Sequence, residues 1–349
     1  MDSDLYEMPG MENARVTIKD VARAAGVSIA TASKALNDRG RMTVETRQRI
    51  RDVAASLGFM PNAMARALVS QRSFTIGLLT NDTYGRFTLP VAAGLSAALI
   101  DCGVSVFLCA FEDDAGQAAI NLRSMLEKRV DGLVIAGKRI DRGLPIELPR
   151  LPMPVVRVNS LCSDDQIGFV PDDREGALTA VNHLIACRRR RIAHVTGPTS
   201  FLAVRLRAEG WEQAVQAAGL PLLDGPQSGD WSEAFGFRSG QQLLAMPPAE
   251  RPDGVFCGND QIARGLIDAL TVGGLRVPDD VSVVGFDNWE VLAKATRPPL
   301  TTIDMGLNEL GRQAGSTLLD LVAGKHVEPG VRRLACRLVV RSSCGAQPL

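Results

Sequence analysis

Between residues 11 and 72 the chain gathers 11 basic side chains (Arg15, Lys19, Arg23, Lys34, Arg39, Arg41, Arg47, Arg49, Arg51, Arg66 and Arg72) against 5 acids (Glu12, Asp20, Asp38, Glu45 and Asp52). The local net charge is +6, although 39 basic and 39 acidic residues cancel over the whole 349-residue chain. Guanidinium and ammonium groups at this density suit one task, replacing the counterions condensed on a nucleic-acid backbone. The remaining residues must sum to −6. A cationic module joined to an anionic body meets phosphate at one end only.

Local signals give those charges a scaffold. Thr17 followed three residues later by Asp20 predicts a capping box, so a first helix starts near Ile18 and buries Val21, Ala22 and Ala25. Gly26 ends it, because glycine takes a left-handed backbone at no steric cost, and Val27 packs into the angle beyond. Ser28 caps a second helix. Two short helices around a glycine-containing turn make a helix-turn-helix, whose second helix enters the DNA major groove. An ordinary helical hairpin is the competing reading. Downstream, Pro61 interrupts the pattern, Asn62 is a good cap, and residues 63–68 form a helix of roughly seven residues, too short to overcome its nucleation cost unaided.

From Phe74 onward the periodicity changes class. Buried-strand runs at 74–79, 104–109 and 132–136 alternate with helical stretches at 89–100 and 117–129. A second series follows, with helices at 177–186, 207–218 and 261–272 and strands at 191–196, 254–257 and 281–285. Such βαβ repetition predicts doubly wound parallel sheets with a ligand crevice at the carboxyl ends of the strands. A body of roughly 275 residues exceeds one comfortable core and suits two lobes.

These residues together resemble the lactose and galactose repressor (LacI) family of bacterial transcription regulators over nearly the whole chain. Thr17 to Asn37 is similar to the family's helix-turn-helix, Thr43 to Leu57 to its third helix, and Pro61 to Leu68 to its hinge helix. The resemblance implies an all-α headpiece and hinge joined to an α/β, two-lobed, periplasmic-binding-protein-like body. It divides the chain into a disordered tail (1–15), a DNA-binding domain (16–60), a hinge and linker (61–73) and an effector-binding and dimerisation domain (74–349). Within that domain the first lobe takes 74–170 and 300–328, and the second takes 171–299 and 329–345, with the Leu334 to Val340 strand in the second.

By the same resemblance Ile29, Ala30 and Lys34 read bases: the first two offer apolar contact to thymine methyls, and Lys34 donates to guanine O6 and N7. Thr31, Ser33 and the helix-start N–H groups hold phosphates. The DNA-contacting set is therefore Thr17, Ser28, Ile29, Ala30, Thr31, Ser33, Lys34 and Asn37, joined in the hinge by Asn62, Ala63, Arg66 and Leu68. Leu68 is the wedge that opens the central base step, or else a buried core leucine, and Arg66 sits at the narrowed groove. The effector positions fall on Phe87, Asn159, Arg205, Trp231, Asn259 and Asp287, polar groups beside an indole that suit a sugar's hydroxyls and its C–H face. Arg86 and Arg205 would favour a sugar acid or sugar phosphate if both face inward. Asp260 is expected to cap the helix after it, and Trp211 and Trp289 to serve as packing or rim residues.

The implied protein is a homodimeric repressor of carbohydrate genes, bound to a pseudo-palindromic operator and released or recruited by a small effector. The alternative is a sugar sensor with a vestigial headpiece. No Walker loop, G-x-G-x-x-G or nucleophile elbow supports an enzyme, and no cofactor is expected. Three histidines (183, 194, 326) and seven cysteines (102, 109, 162, 187, 257, 336, 344) show no metal-ligand spacing and no C-x-x-C pair, so no metal is expected and the thiols read as reduced. His194 reads as a structural histidine. With no signal peptide and no membrane-spanning apolar run, the expected location is the cytoplasm, on the bacterial nucleoid.

Overall fold

A computed structural model describes residues 16–37, 40–60, 72–112, 114–145 and 151–345. The N-terminal tail and the hinge positions Asn62, Ala63, Arg66 and Leu68 lie outside the described residues. The chain divides into two compact units, Met1–Ser73 and Phe74–Leu349.

The first unit holds three helices, α1 (Ile18–Ala24), α2 (Ile29–Leu36) and α3 (Val44–Ser56). Asp20 accepts hydrogen bonds from the Thr17 N–H (3.0 Å) and hydroxyl (2.6 Å), which fixes the start of α1 and lowers the Asp20 carboxyl from its ordinary value. Gly26 has φ +63° and ends α1, and Val27 donates back to the Ala22 carbonyl. Ser28 caps α2 by accepting from the Thr31 N–H at 3.0 Å. The small core is Val21, Ala22, Ala25, Ala32, Ala35, Ile50 and Ala54. Alanines at the α1–α2 contact let the helix axes approach closely, as a helix-turn-helix requires.

The second unit is built on two six-stranded sheets. In the first lobe β1 (Thr75–Thr80), α4 (Thr88–Leu99), β2 (Ser105–Ala110), α5 (Ala115–Glu127), β3 (Gly132–Ala136), β4 (Val155–Val158) and β5 (Ile167–Pro171) alternate along the chain. In the second, α6 (Asp173–Ala186), β6 (Ile192–Thr196), α7 (Leu202–Ala217), β7 (Gln227–Ser228), α8 (Glu233–Ala245), β8 (Gly254–Cys257), α9 (Asp260–Val272), β9 (Ser282–Asp287), α10 (Glu290–Ala295) and β10 (Thr301–Asp304) follow. The chain ends with α11 (Leu307–Val322), β11 (Gly330–Leu334) and β12 (Arg337–Val339). The sheet orders are β11-β5-β4-β3-β1-β2 and β12-β10-β9-β8-β6-β7. All pairings are parallel except β10 with β12. Each sheet therefore reverses its winding once, beside β1 and beside β6, and the crevice at those carboxyl ends is where a ligand fits.

Three crossings join the lobes, and two fall later than the sequence suggests. Thr301–Asp304 pairs with β9 in the second sheet, so the return to the first lobe comes at 305–306 rather than 300. Gly330–Leu334 pairs with β5 in the first sheet, and only Arg337–Val339 joins the second. The expected single strand from Leu334 to Val340 is thus two strands on different sheets, split at Ala335 and Cys336; hydrophobic pattern alone does not say which edge a strand pairs with. Helix α11 packs back on α4 at close range: a Cβ on Gly94 would lie 1.8 Å from the Asn308 carbonyl, and one on Gly311 would lie 2.1 Å from that of Val91. Among the described residues no helix is long and apolar enough to cross a membrane.

Candidate functional site

On the headpiece, the alternation of buried and exposed residues along α2 sorts its side chains. Ala32 and Ala35 face the core, while Ile29, Ala30, Lys34 and Asn37 are exposed, Ile29 to 48%. Ile29 thus stands on the outer face of α2, apart from the headpiece core. Ser28 and Thr31 are tied to each other at 2.8 Å, and Asn37 donates to the Ser33 carbonyl at 2.8 Å, so these polar residues first serve the ends of α2. Arg47 is also engaged internally, donating to the carbonyls of Lys34, Ala35 and Gly40. It holds the carboxyl end of α2, where cationic groups complement the helix dipole.

In the body, a cavity of about 320 Å³ opens between the lobes at the carboxyl ends of the strands. Its lining includes Phe87, Asn159, Trp231, Asn259 and Asp287 from the expected set. Each is held from behind. Asp82 accepts from the N–H groups of Phe87 (2.7 Å) and Thr88 (2.9 Å), fixing the loop that leads into α4. Asn159, at φ +48° after β4, donates to the Gly137 carbonyl at 2.9 Å. Trp231 lies against the Gly197 backbone, where a Cβ would come within 2.3 Å of the indole, and meets Phe201 edge-on at 5.6 Å. Asn259 caps α9 through the Ile262 N–H at 2.8 Å and reaches the Trp231 carbonyl with its amide. Asp287 has φ +110°, a conformation that costs about 1–3 kcal/mol and persists only where the surrounding structure over-determines it.

Arg205 is the exception. It is exposed, its guanidinium donates to the Thr199 carbonyl at 3.1 Å, and it stands outside the cavity. Two positions along a helix are about 200° apart, so when Val204 and Arg207 face inward, Arg205 must face out. Arg207 occupies the floor instead, 4% exposed. Its Nε donates to Asp173 at 2.8 Å, its Nη1 to the Gly258 carbonyl, and its guanidinium stacks on Phe286 at 3.6 Å. Burial pushes the Asp173 carboxyl up, and Arg207 opposes that push. Sequence reading missed both because α6 and α7 begin four to five residues before the apolar pattern that signals them. Asp172, capping α6 through the Glu175 N–H, was the available sign for Asp173.

Arg86 faces the cleft and crosses it. From the first lobe it donates to Gln261 Oε1 at 2.7 Å and to the Asp287 carboxylate, both on the second. Burial pushes its guanidinium down to about 10. A second bridge flanks the cavity: Arg139 pairs with Asp141 at 2.9 and 3.0 Å and donates to the Ser200 carbonyl at 3.0 Å, while Asp141 accepts from the Leu202 N–H at 2.8 Å. Burial raises the Asp141 carboxyl, but these hydrogen bonds outweigh it and leave the group below its ordinary value.

Asp260 does not cap α9, since Asn259 does. Its carboxylate accepts from the Trp289 N–H and the Thr302 hydroxyl instead, and burial pushes it up to about 7. Trp211 is fully buried with its Nε1 donating to the Ile192 carbonyl, and Trp289 sits on the rim 5.3 Å from Arg86. His194 is buried and held near 4, its Nδ1 2.9 Å from the Phe256 carbonyl.

A two-lobed body with an inter-lobe polar cavity, carried behind a helix-turn-helix, defines a ligand-responsive DNA-binding regulator. Residues 17–62 match the bacterial regulatory proteins of the lacI family, and residues 181–344 match a periplasmic binding protein-like domain. The chain is 33% identical over 338 residues to the HTH-type transcriptional repressor CytR of Escherichia coli K12, covering 95% of this chain and 97% of that one. It is also 33% identical over 330 residues to the ribose operon repressor of the same organism, covering 94% and 99%. A crystal structure of the lac repressor dimer bound to operator and the anti-inducer ONPF superposes with a TM-score of 0.70 at 29% identity, covering 95% of this chain and 99% of that one. The protein belongs to the LacI family of bacterial transcriptional regulators.

Proposed function

We propose that the protein represses carbohydrate-utilisation genes by binding a pseudo-palindromic operator as a homodimer, and that a small sugar, sugar acid or sugar phosphate in the inter-lobe cavity alters that affinity. The observation that carries the effector reading is a set of buried polar atoms without hydrogen-bond partners: Asn81 Oδ1, Arg86 Nε and Asp173 Oδ2, all on residues that line the cavity. Each buried unpaired atom costs about 1–3 kcal/mol, and a molecule with several hydroxyls repays that at one stroke. The rings of Phe87, Phe201 and Trp231 supply the apolar contact a sugar's C–H face needs.

The charges of the lining do not single out one class of sugar. Arg86, Arg139 and Arg207 face Asp287, Asp141 and Asp173 respectively, while Lys138 and Arg142 line the same cavity, exposed and with no ion pair among the described residues, so the wall suits a sugar's hydroxyls and can also meet a carboxylate or phosphate. The exposed Ile29, Ala30 and Lys34 and the local +6 charge favour a working headpiece over a vestigial one. The site is read as cytoplasmic because operator DNA is there.

A thermal-shift screen against neutral sugars, sugar acids, sugar phosphates and nucleosides tests this, with each hit repeated in operator titrations using DNA selected from upstream regions of the host chromosome. A sugar, sugar acid or sugar phosphate should raise Tm and change operator affinity, and the direction of that change gives its sign. Neutralising six to ten phosphates should give a log K against log[salt] slope of about −5 to −9. A flat salt dependence, or operator binding with no hit in any sugar class, would overturn the reading.

A further inference from the structure

Helix α6 carries His183 in its last turn, and Cys187, four residues on, is its C-cap. Cys344, 161 residues beyond His183, lies against them. His183 Nε2 is 3.2 Å from Cys344 Sγ and 3.8 Å from Cys187 Sγ, and the three atoms all fall within 4.8 Å of one another. A tetrahedral cation with thiolates at about 2.3 Å and imidazole at about 2.0 Å spaces its sulfur and nitrogen ligands about 3.6 Å apart. The two observed separations bracket that edge. We propose that His183, Cys187 and Cys344 form a Cys₂His site for a thiolate-preferring d¹⁰ cation, with zinc as its natural probe and a water completing the tetrahedron.

The surroundings suit the assignment. Two thiolates and an imidazole are a borderline-soft set that selects zinc over magnesium or calcium. The Thr301 hydroxyl donates to Cys344 Sγ at 3.1 Å, the kind of outer contact that orients a thiolate ligand. Cys344 is buried, whereas His183 and Cys187 are half-buried, so a cation can reach the cluster from the solvent side of α6. The Cys344 backbone is already fixed: its carbonyl accepts from the Ser282 hydroxyl at 2.9 Å, and Ser343 before it exchanges hydrogen bonds with Val283 and Thr301. Bound metal would therefore fasten α6 to the last described turn of the chain across β9 and β10. The cluster lies near the end of α6 remote from Asp173, about ten residues and so about 15 Å along the helix from the effector cavity.

The test uses the full-length protein, fully reduced and stripped with chelator. Cobalt(II) should produce one equivalent of sulfur-to-cobalt charge-transfer absorption per chain, and zinc should displace it and raise Tm by several degrees. Cys187→Ser and Cys344→Ser should each weaken zinc binding more than about 100-fold, while Cys102→Ser binds as the parent does. Cys187 is half-buried, so its serine variant keeps the test valid if Cys344→Ser fails to fold. Absence of charge-transfer absorption in the parent overturns the proposal. So does unchanged zinc stoichiometry in Cys187→Ser, or a reduced protein that binds no zinc and in air closes a Cys187–Cys344 disulfide.

Discussion

Replacing Arg207 with methionine should both destabilise the body and disable the effector response. Methionine keeps much of the aliphatic volume against Phe286 but removes the charge that Asp173 needs. Breaking a buried ion pair by deleting one partner costs about 3–5 kcal/mol, because the survivor must either stay charged in a low-dielectric site or take up a proton that the unfolded chain does not hold. In a body of this size that corresponds to a fall in Tm on the order of 10 °C. The loss should also depend on pH. Without Arg207, nothing opposes the burial that already pushes the Asp173 carboxyl up, so the native variant holds a proton that the unfolded chain releases. Above the unfolded pKa of 3.8, stability then falls as pH rises, by about 1.4 kcal/mol for each unit until the folded pKa is passed. The deficit against the parent should therefore be larger at pH 7 than at pH 5, and Asp173→Asn in the variant background should recover about 1–3 kcal/mol at pH 7. Urea unfolding followed by tryptophan fluorescence reads this directly, since Trp211, Trp231 and Trp289 all lie in the body. A loss below about 1 kcal/mol, or one equal at both pH values, would refute the argument.

The contrast with Arg205 is informative: Arg205→Ala should change stability by less than about 0.5 kcal/mol and leave the effector response intact, as measured by operator titration with and without effector. Asp287→Ala should instead keep operator affinity and lose the response; if it still responded normally, the cavity would not be the effector site. His194, held near 4, stabilises the fold at pH above 6.5 by about 3 kcal/mol, and that stability is lost as pH falls towards 4. Asp260, raised to about 7, works the opposite way, so Asp260→Asn should unmask a stability that climbs by about 3 kcal/mol between pH 4 and 6.5, and a flat urea profile would contradict it. Lys34→Ala should weaken specific operator binding by about 1–3 kcal/mol per site and relax preference at a single base pair, which a competition assay with point-substituted operators would detect.

What the sequence disclosed followed from local physics. The Thr17–Asp20 box, the left-handed turn at Gly26 and the Ser28 cap are each settled within four residues, and they stand where the spacing puts them. The βαβ alternation likewise needs only near neighbours to be read. Arg207 in place of Arg205 was harder, because the two differ only in helical phase, and phase is fixed by where α7 begins, five residues before its apolar pattern. Asn259, which lines the cavity as expected, also takes the cap expected of Asp260 for a similar reason: which of two adjacent caps is used depends on Thr302 and Trp289, brought in from another strand and loop. The direction in which Arg86 points and the His183–Cys187–Cys344 cluster could not be read for a plainer reason. Their partners are contributed by distant segments, and no spacing rule spans 161 or 201 residues.

The three crossings between the lobes also govern how such a chain can be cut and recombined. Neither lobe is a continuous stretch: the first sheet needs β11 from near the C-terminus, and the second needs β10 and β12 from either side of it. A fragment ending at any one crossing would leave a sheet lacking an edge, and one ending at the first or second would also leave α4 without the helix that covers it. The effector specificity of this body can therefore be transplanted only as a whole, or by changes within the cavity wall. The headpiece, continuous through Ser73, can be exchanged with a single splice. Addressing and sensing are thus separable in the gene, while the two halves of the sensor are inherited together.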